Sequence, residues 1–176
     1  MKSIPLRTRL GLVAAVYAVV LATAMLLIYK RHLQYVNHPE DVAASSGMYA
    51  FGDSMLALFI GCMLLVATLI LALVIRNSEN LYTGYSKILL GLSLTAPICL
   101  GVLTIPAVNQ GMTVLGEICI ERLFGSPIVV VGLVVSRLLA RSDPAKRLTL
   151  YALLIEVLTL VLTAVLFVFA ARVQRG

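Results

Sequence analysis

The chain has 176 residues, of which 61% are apolar (AVILMFWYC) and only 12% charged, with a mean hydropathy of +1.03. A water-soluble domain carries about a quarter charged residues and could not hide this much hydrocarbon, so a soluble globular fold is excluded. The formal net charge of +6 is spread over helix ends and loops with no block of consecutive Lys or Arg, which argues against nucleic-acid partners and for charges that set membrane topology.

Backbone polar groups in lipid must be satisfied within their own element, which leaves helices or a closed barrel. The apolar residues form continuous Leu/Val/Ile/Ala blocks rather than an apolar/polar alternation, and this removes the barrel. The expected architecture is all-α and integral to the membrane: one domain over residues 1–176, built as a compact bundle of five transmembrane helices.

Lys2, Arg7 and Arg9 precede a first apolar run over residues 10–29. Ala22-Thr23-Ala24 mimics a signal-peptidase site, but the run continues through Met25 to Tyr29 and is long enough to span, so a retained helix is expected. A loop from Lys30 to Asp53 follows, with His32, His38, Glu40, Asp41 and Ser45-Ser46-Gly47. Within it, Gly47-Met48-Tyr49-Ala50-Phe51-Gly52-Asp53 places two aromatics for the membrane interface and an acid for a helix N-terminus. The second span is expected over 54–75, closed by Arg76-Asn77-Ser78-Glu79-Asn80, and the third over 87–105, stopped by Pro106. A surface-lying helix is expected over 113–124, with Glu117 and Glu121 on one face and Leu115, Ile118 and Cys119 turned elsewhere.

The fourth span is expected over 123–140, with Ser126 as N-cap and Pro127 at the first helical position. From Pro127 to Ala140 the rise is only about 21 Å, short of a hydrocarbon core of ~30 Å, so a re-entrant segment and four spans form the alternative. The fifth span covers 148–171, closed by Arg172 and Arg175. With five spans and the N-terminus inside, Lys2, Arg7, Arg9, Arg76, Lys87, Arg137, Arg141, Lys146 and Arg147 gather on the inner side, nine of the fourteen basic residues. A re-entrant fourth segment would make the tally seven against seven. The positive-inside rule therefore favours five spans, N-terminus in and C-terminus out, in a bacterial-type cytoplasmic membrane.

Glu156 is the residue on which function turns. It lies about 12 Å into the fifth helix with no other charge in that run, where an ionisable group is expensive unless paired or protonated. Thr149, Ala152, Glu156, Thr159 and Thr163 recur at spacings of 3 and 4, one seam of the helix, and such a seam must face protein. The seam reads either as a proton or substrate site or, preferred here, as hydrogen-bonded glue between helices. Arg137, near the inner end of the fourth helix, is the candidate ion-pair partner, with snorkelling to the headgroups as its alternative. On the third helix Ser93, Pro97 and Gly101 follow at four-residue intervals as a packing face or hinge, and Gly132 and Ser136 form a small-xxx-small pair on the fourth.

His38, Glu40 and Asp41, with His32 or Asp53, form a weak metal set whose spacing fits no established pattern; a solvated turn is the preferred reading, and no metal or cofactor is expected. Cys62, Cys99 and Cys119 read as isolated small hydrophobes rather than a redox pair. The chain carries no P-loop, no HExxH, no GxSxG and no paired intramembrane aspartates. The functional expectation is a non-catalytic accessory, scaffolding or assembly component that works as a homo-oligomer or within a larger membrane complex. The alternative is an oligomeric transporter or channel coupled to protons or cations through Glu156.

Overall fold

A chain whose apolar residues run on all sides of a helix buries little of that surface against itself and leaves the rest to lipid. The computed structural model, which describes residues 5–105, 108 and 114–173, follows this rule. Its helices are α1 Leu6–Asn37, α2 Pro39–Ala44, α3 Ser46–Ile75, α4 Glu79–Leu103, α5 Val114–Phe124, α6 Ser126–Leu139 and α7 Asp143–Val173, with no strand among the described residues. Four helices are each long and apolar enough to cross a bilayer. The pair α5 and α6 also passes when taken as one span, bent by 45° at its break. The fold is all-α with four to five membrane-spanning helices.

The helices outrun the apolar blocks that announce them. At 1.5 Å per residue α1 is about 48 Å long, well beyond the ~30 Å hydrocarbon core. The expected loop from Lys30 to Asp53 is therefore helical over most of its length: α1 continues to Asn37, α2 takes the next turn, and α3 starts at Ser46 rather than residue 54. In the same way α4 begins at Glu79 instead of residue 87, and α7 begins at Asp143, so the short loop expected up to Arg147 is largely the first turn of that helix. Pro106, expected to stop the third span, lies outside the described residues, as do Lys2, Thr113 and Arg175; the helix itself ends at Leu103 with Thr104 as C-cap.

By internal contacts the chain divides into two units, Met1–Val74 and Ile75–Gly176. In the first, α1 and α3 are joined where Tyr17 Oη and Thr68 Oγ1 share a hydrogen bond of 2.9 Å. They are joined again at the polar end, where Arg31 Nε donates to Asp53 Oδ1 at 2.5 Å. Val13, Val20 and Ala24 on α1, and Ala67 and Ala72 on α3, are buried.

In the second unit α4 is the central element and packs against α5, α6 and, most extensively, α7. Its buried positions, Tyr82, Tyr85, Ser86, Leu89, Ser93 and Ala96, recur at helical spacing as one stripe. Facing it, α7 presents Ala145, Thr149, Ala152, Glu156 and Thr159, all buried. Alanine, serine and threonine at these positions let two backbones approach closely, which is how helices associate where lipid removes the hydrophobic drive. The outward faces carry Leu92, Ile98, Leu154, Leu158 and Leu162, each exposed on the chain and suited to contact with lipid.

The expected packing face Ser93–Pro97–Gly101 is only partly turned into the chain. Ser93 is buried, but Pro97 and Gly101 are exposed, because a stripe that follows 3.6 residues per turn passes from Ser93 to Ala96 rather than to Pro97.

Candidate functional site: a buried arginine–glutamate clamp

Glu156 lies midway along α7 with none of its surface exposed. Its partner is Arg122, whose Nη2 donates to Glu156 Oε1. The expected partner Arg137 instead lies in the last turn of α6, and no ion pair joins it to Glu156. The correction has a topological cause. The segment 113–124 is expected to lie on the surface, but α5 packs along α4, and Arg122 reaches both α4 and α7.

The guanidinium is used on four sides. Arg122 Nε donates to Thr95 Oγ1 at 2.9 Å, Nη2 also donates to the Leu92 carbonyl at 3.0 Å, and Nη1 donates to Ser126 Oγ at 3.2 Å. One side chain on α5 thereby engages α4, the first residue of α6, and α7. Arginine suits this task because its planar fork carries five donors in fixed directions and stays charged. The Leu92 carbonyl also accepts from Thr95 Oγ1 at 2.6 Å, one turn before Pro97. Proline supplies no amide hydrogen and leaves the Ser93 carbonyl without its usual helical donor, so this stretch of α4 is rich in acceptors.

Ser126 is itself corrected. The N-cap of α6 is Gly125, and Ser126 is the first helical residue, buried, with its hydroxyl turned to Arg122 rather than to a backbone amide. The bend between α5 and α6 falls at Gly125, and it separates Arg122 from Ser126 by one helical turn across the break.

Two oxygens at this level are buried without a hydrogen-bond partner among the described residues: Glu156 Oε2 and Ser93 Oγ. The other members of the Glu156 seam satisfy themselves along their own helix. Thr149 donates to the Ala145 carbonyl, Thr159 to that of Ile155, and Thr163 to that of Thr159. Thr149 and Thr159 are buried, whereas Thr163 is half-buried.

Toward the other end of α4, Ser136 on α6 forms a second tie. Tyr82 Oη donates to its carbonyl at 2.5 Å, and Tyr85 Oη and Ser136 Oγ share a hydrogen bond of 2.9 Å. The two tyrosine rings meet edge to face at 5.5 Å. Gly132, the other half of the small-residue pair, is half-buried.

In the first unit Arg31 repeats the pattern. It binds Asp53, the Tyr49 carbonyl at 2.7 Å and Gln34 Oε1 at 3.0 Å, and lies over the rings of Tyr35 and Tyr49 at 5.2 and 4.6 Å. Tyr35 Oη donates to the second Asp53 oxygen. Asp53 is thus engaged by an arginine and a tyrosine, not by a metal set. His38 and Asp41, both largely exposed, lie 3.7 Å apart across one turn, and Glu40 and His32 are exposed as well. Among the described residues no three His, Cys, Asp or Glu side chains converge.

Arg122 is the residue that sequence reasoning missed. Its signal was present: a lone cation within Ile118-Cys119-Ile120-Glu121-Arg122-Leu123-Phe124, four residues before Ser126, in a stretch otherwise dominated by apolar side chains. No protein-family model, curated protein or solved structure matches the chain.

Proposed function

We propose that this chain is a non-catalytic component of a bacterial-type cytoplasmic membrane, with its N-terminus inside and C-terminus outside. It acts there as an accessory, scaffolding or assembly subunit, associating with itself or with a larger membrane complex. The observation that carries this reading is the engagement of Glu156. The one acid midway along α7 is spent on Arg122, and Arg122 in turn ties α4, α5, α6 and α7 together. An ion pair used in this way holds helices in register, a role polar groups fill in bilayers.

The association surface is supplied by α4. Gly84 and Gly91 are exposed two turns apart on one face, and a Cβ built on either meets nothing within 4 Å. A second helix can approach the backbone closely there. A Cβ at either position has open space around it, so with both replaced by leucine folding should survive while association is lost. Gentle detergent extraction of wild type and of the Gly84→Leu/Gly91→Leu variant, followed by identification of what co-purifies in fixed stoichiometry, makes the test. Identical complexes from both would refute this surface, and a wild type that emerges as a partnerless monomer would refute the assembly reading.

A second reading rests on Glu156 Oε2, buried and without a hydrogen-bond partner among the described residues. An open carboxylate oxygen in the membrane interior can take a proton or a cation, and in an oligomer it could couple transport. Under this reading Glu156→Gln abolishes proton or cation flux in vesicles and leaves assembly intact; under the first it weakens the assembly.

A further inference from the structure

Among the three cysteines, Cys99 and Cys119 stand in a special relation. On α4, Leu92, Thr95 and Cys99 follow at spacings of 3 and 4, and on α5, Gly116, Cys119 and Arg122 follow at spacings of 3, so each set shares a face of its helix. Arg122 fixes the register, since it bonds Thr95 and the Leu92 carbonyl. Because α5 follows α4 after a short connection and packs back along it, one turn backward from Arg122 corresponds to one turn forward from Thr95. That step brings Cys119 to the level of Cys99. Gly116 and Cys119 are buried and α5 packs along α4, so the two backbones run close at this level.

We infer that Cys99 and Cys119 are a reversible dithiol–disulfide pair that staples α5 to α4 beside the Arg122–Glu156 clamp. Their environments are unequal: Cys99 is half-buried, whereas Cys119 is 3% exposed. An external disulfide reaches the more accessible sulfur first, and the enclosed one then resolves the mixed disulfide. The co-reactant is a disulfide, small or carried by a protein. Cys99 loses its proton to water, and its sulfur attacks one sulfur of that disulfide, whose S–S bond breaks and releases a first thiol. Cys119 then attacks the Cys99 sulfur of the mixed disulfide, and its proton passes to the departing external sulfur, which leaves as the second thiol. Two protein thiols are oxidised to one S–S bond, and the external disulfide is reduced to two thiols. Cys99 is four residues from the end of α4, about 6 Å by helical rise, which places the pair near one end of its helix rather than at mid-span. The inference is independent of what the chain assembles with.

The experiment uses the full chain in membranes. It is incubated with oxidised glutathione, quenched in acid, denatured in detergent so that burial no longer protects a thiol, and alkylated with a mass-adding maleimide. The wild type, with Cys62, Cys99 and Cys119 free at the start, should fall from three adducts to one, and dithiothreitol should restore all three. Cys62→Ser should fall from two adducts to none, whereas Cys99→Ser and Cys119→Ser should each keep Cys62 alkylated and form no internal bond. Mass spectrometry of the unreduced protein should find the Cys99 and Cys119 peptides joined and lighter by two hydrogens. Three adducts remaining on the wild type, glutathione left on Cys99 without transfer to Cys119, or oxidation giving dimers between chains would each overturn the pairing.

Discussion

Arg122 and Glu156 show what a single charge demands of a membrane fold. An ionised group removed from water must be paired and hydrogen-bonded, and removing one partner of a buried pair costs about 3–5 kcal/mol because the other is left behind. Arg122→Gln should therefore lower the melting temperature of the detergent-solubilised protein far more than a surface substitution does. Arg122→Lys should recover only part of the loss, since an ammonium cannot reach Thr95, Leu92, Ser126 and Glu156 with one planar fork. Replacing both charges with methionine should cost less than Arg122→Gln does, because no buried charge is then orphaned. Glu156 was legible in the sequence as an isolated acid on a seam of alanine and threonine. Arg122 was not, because a basic residue between apolar segments reads equally as a topology signal, and only the packing of α5 on α4 decides between the two. Arg31 carries a smaller version of the same lesson. A Cβ at Gly52 would lie 3.0 Å from Arg31 Nη2, so Gly52→Ala should displace the guanidinium. Alanine is favoured over glycine inside a helix by about 0.5–1 kcal/mol, so Gly52→Ala should be more stabilising in an Arg31→Met background than in the wild type, as a double-mutant cycle in thermal melts would report.

Hydropathy located the helices and understated their length, for a reason visible in particular residues. It detects the segment that lipid solvates, not the helix that continues beyond it. Arg31, Gln34 and Tyr35 are polar and read as a loop, yet they extend α1 because Asp53 and Tyr49 on α3 accept from Arg31 and Tyr35, while Gln34 accepts from Arg31. The break at Gly125 was half legible: Gly-Ser-Pro announced a helix start, while the preceding helix that completes the bent pair was assigned to the surface. The contact of α4 with α6 depends on Ser136, whose backbone and side chain receive different tyrosines. Tyr82→Phe should cost about 1 kcal/mol, the ordinary net worth of a buried hydrogen bond, because the Ser136 carbonyl keeps the Ala140 amide as a donor. Ser136→Ala removes the other bond, to Tyr85, and leaves the Tyr82 bond intact. The two substitutions should therefore lower the melting temperature separately, and each loss should persist in the presence of the other.

At the scale of the whole chain, each unit holds its helices with its own arginine. Arg31 joins α1 to α3 within residues 1–74, and Arg122 joins α4 to α7 within residues 75–176. The two clusters share no hydrogen-bond partner. Stability losses from Arg31→Met and Arg122→Gln should accordingly add to within about 0.5 kcal/mol in the double variant, measured by thermal or denaturant unfolding in detergent. A deficit larger than that would reveal coupling between the units. The recurrence of one device explains how a chain with few charges specifies its helix pairing. Apolar surface is interchangeable in lipid, and the sparse polar side chains supply the register that leucine and valine cannot.

The separation of Arg122 from Glu156 by 34 positions also has a consequence in time. A ribosome adds about 5–20 residues per second, so Arg122 is made roughly 2–7 s before its counter-charge exists. During that interval the acid that pairs with Arg122 does not yet exist, and the lasting placement of Arg122 must wait for α7. Biogenesis of the last two spans is thus expected to be concerted. Chains cut short before Glu156 should leave Arg122 reachable by a membrane-impermeant cysteine label placed beside it, and chains extended past Glu156 should not.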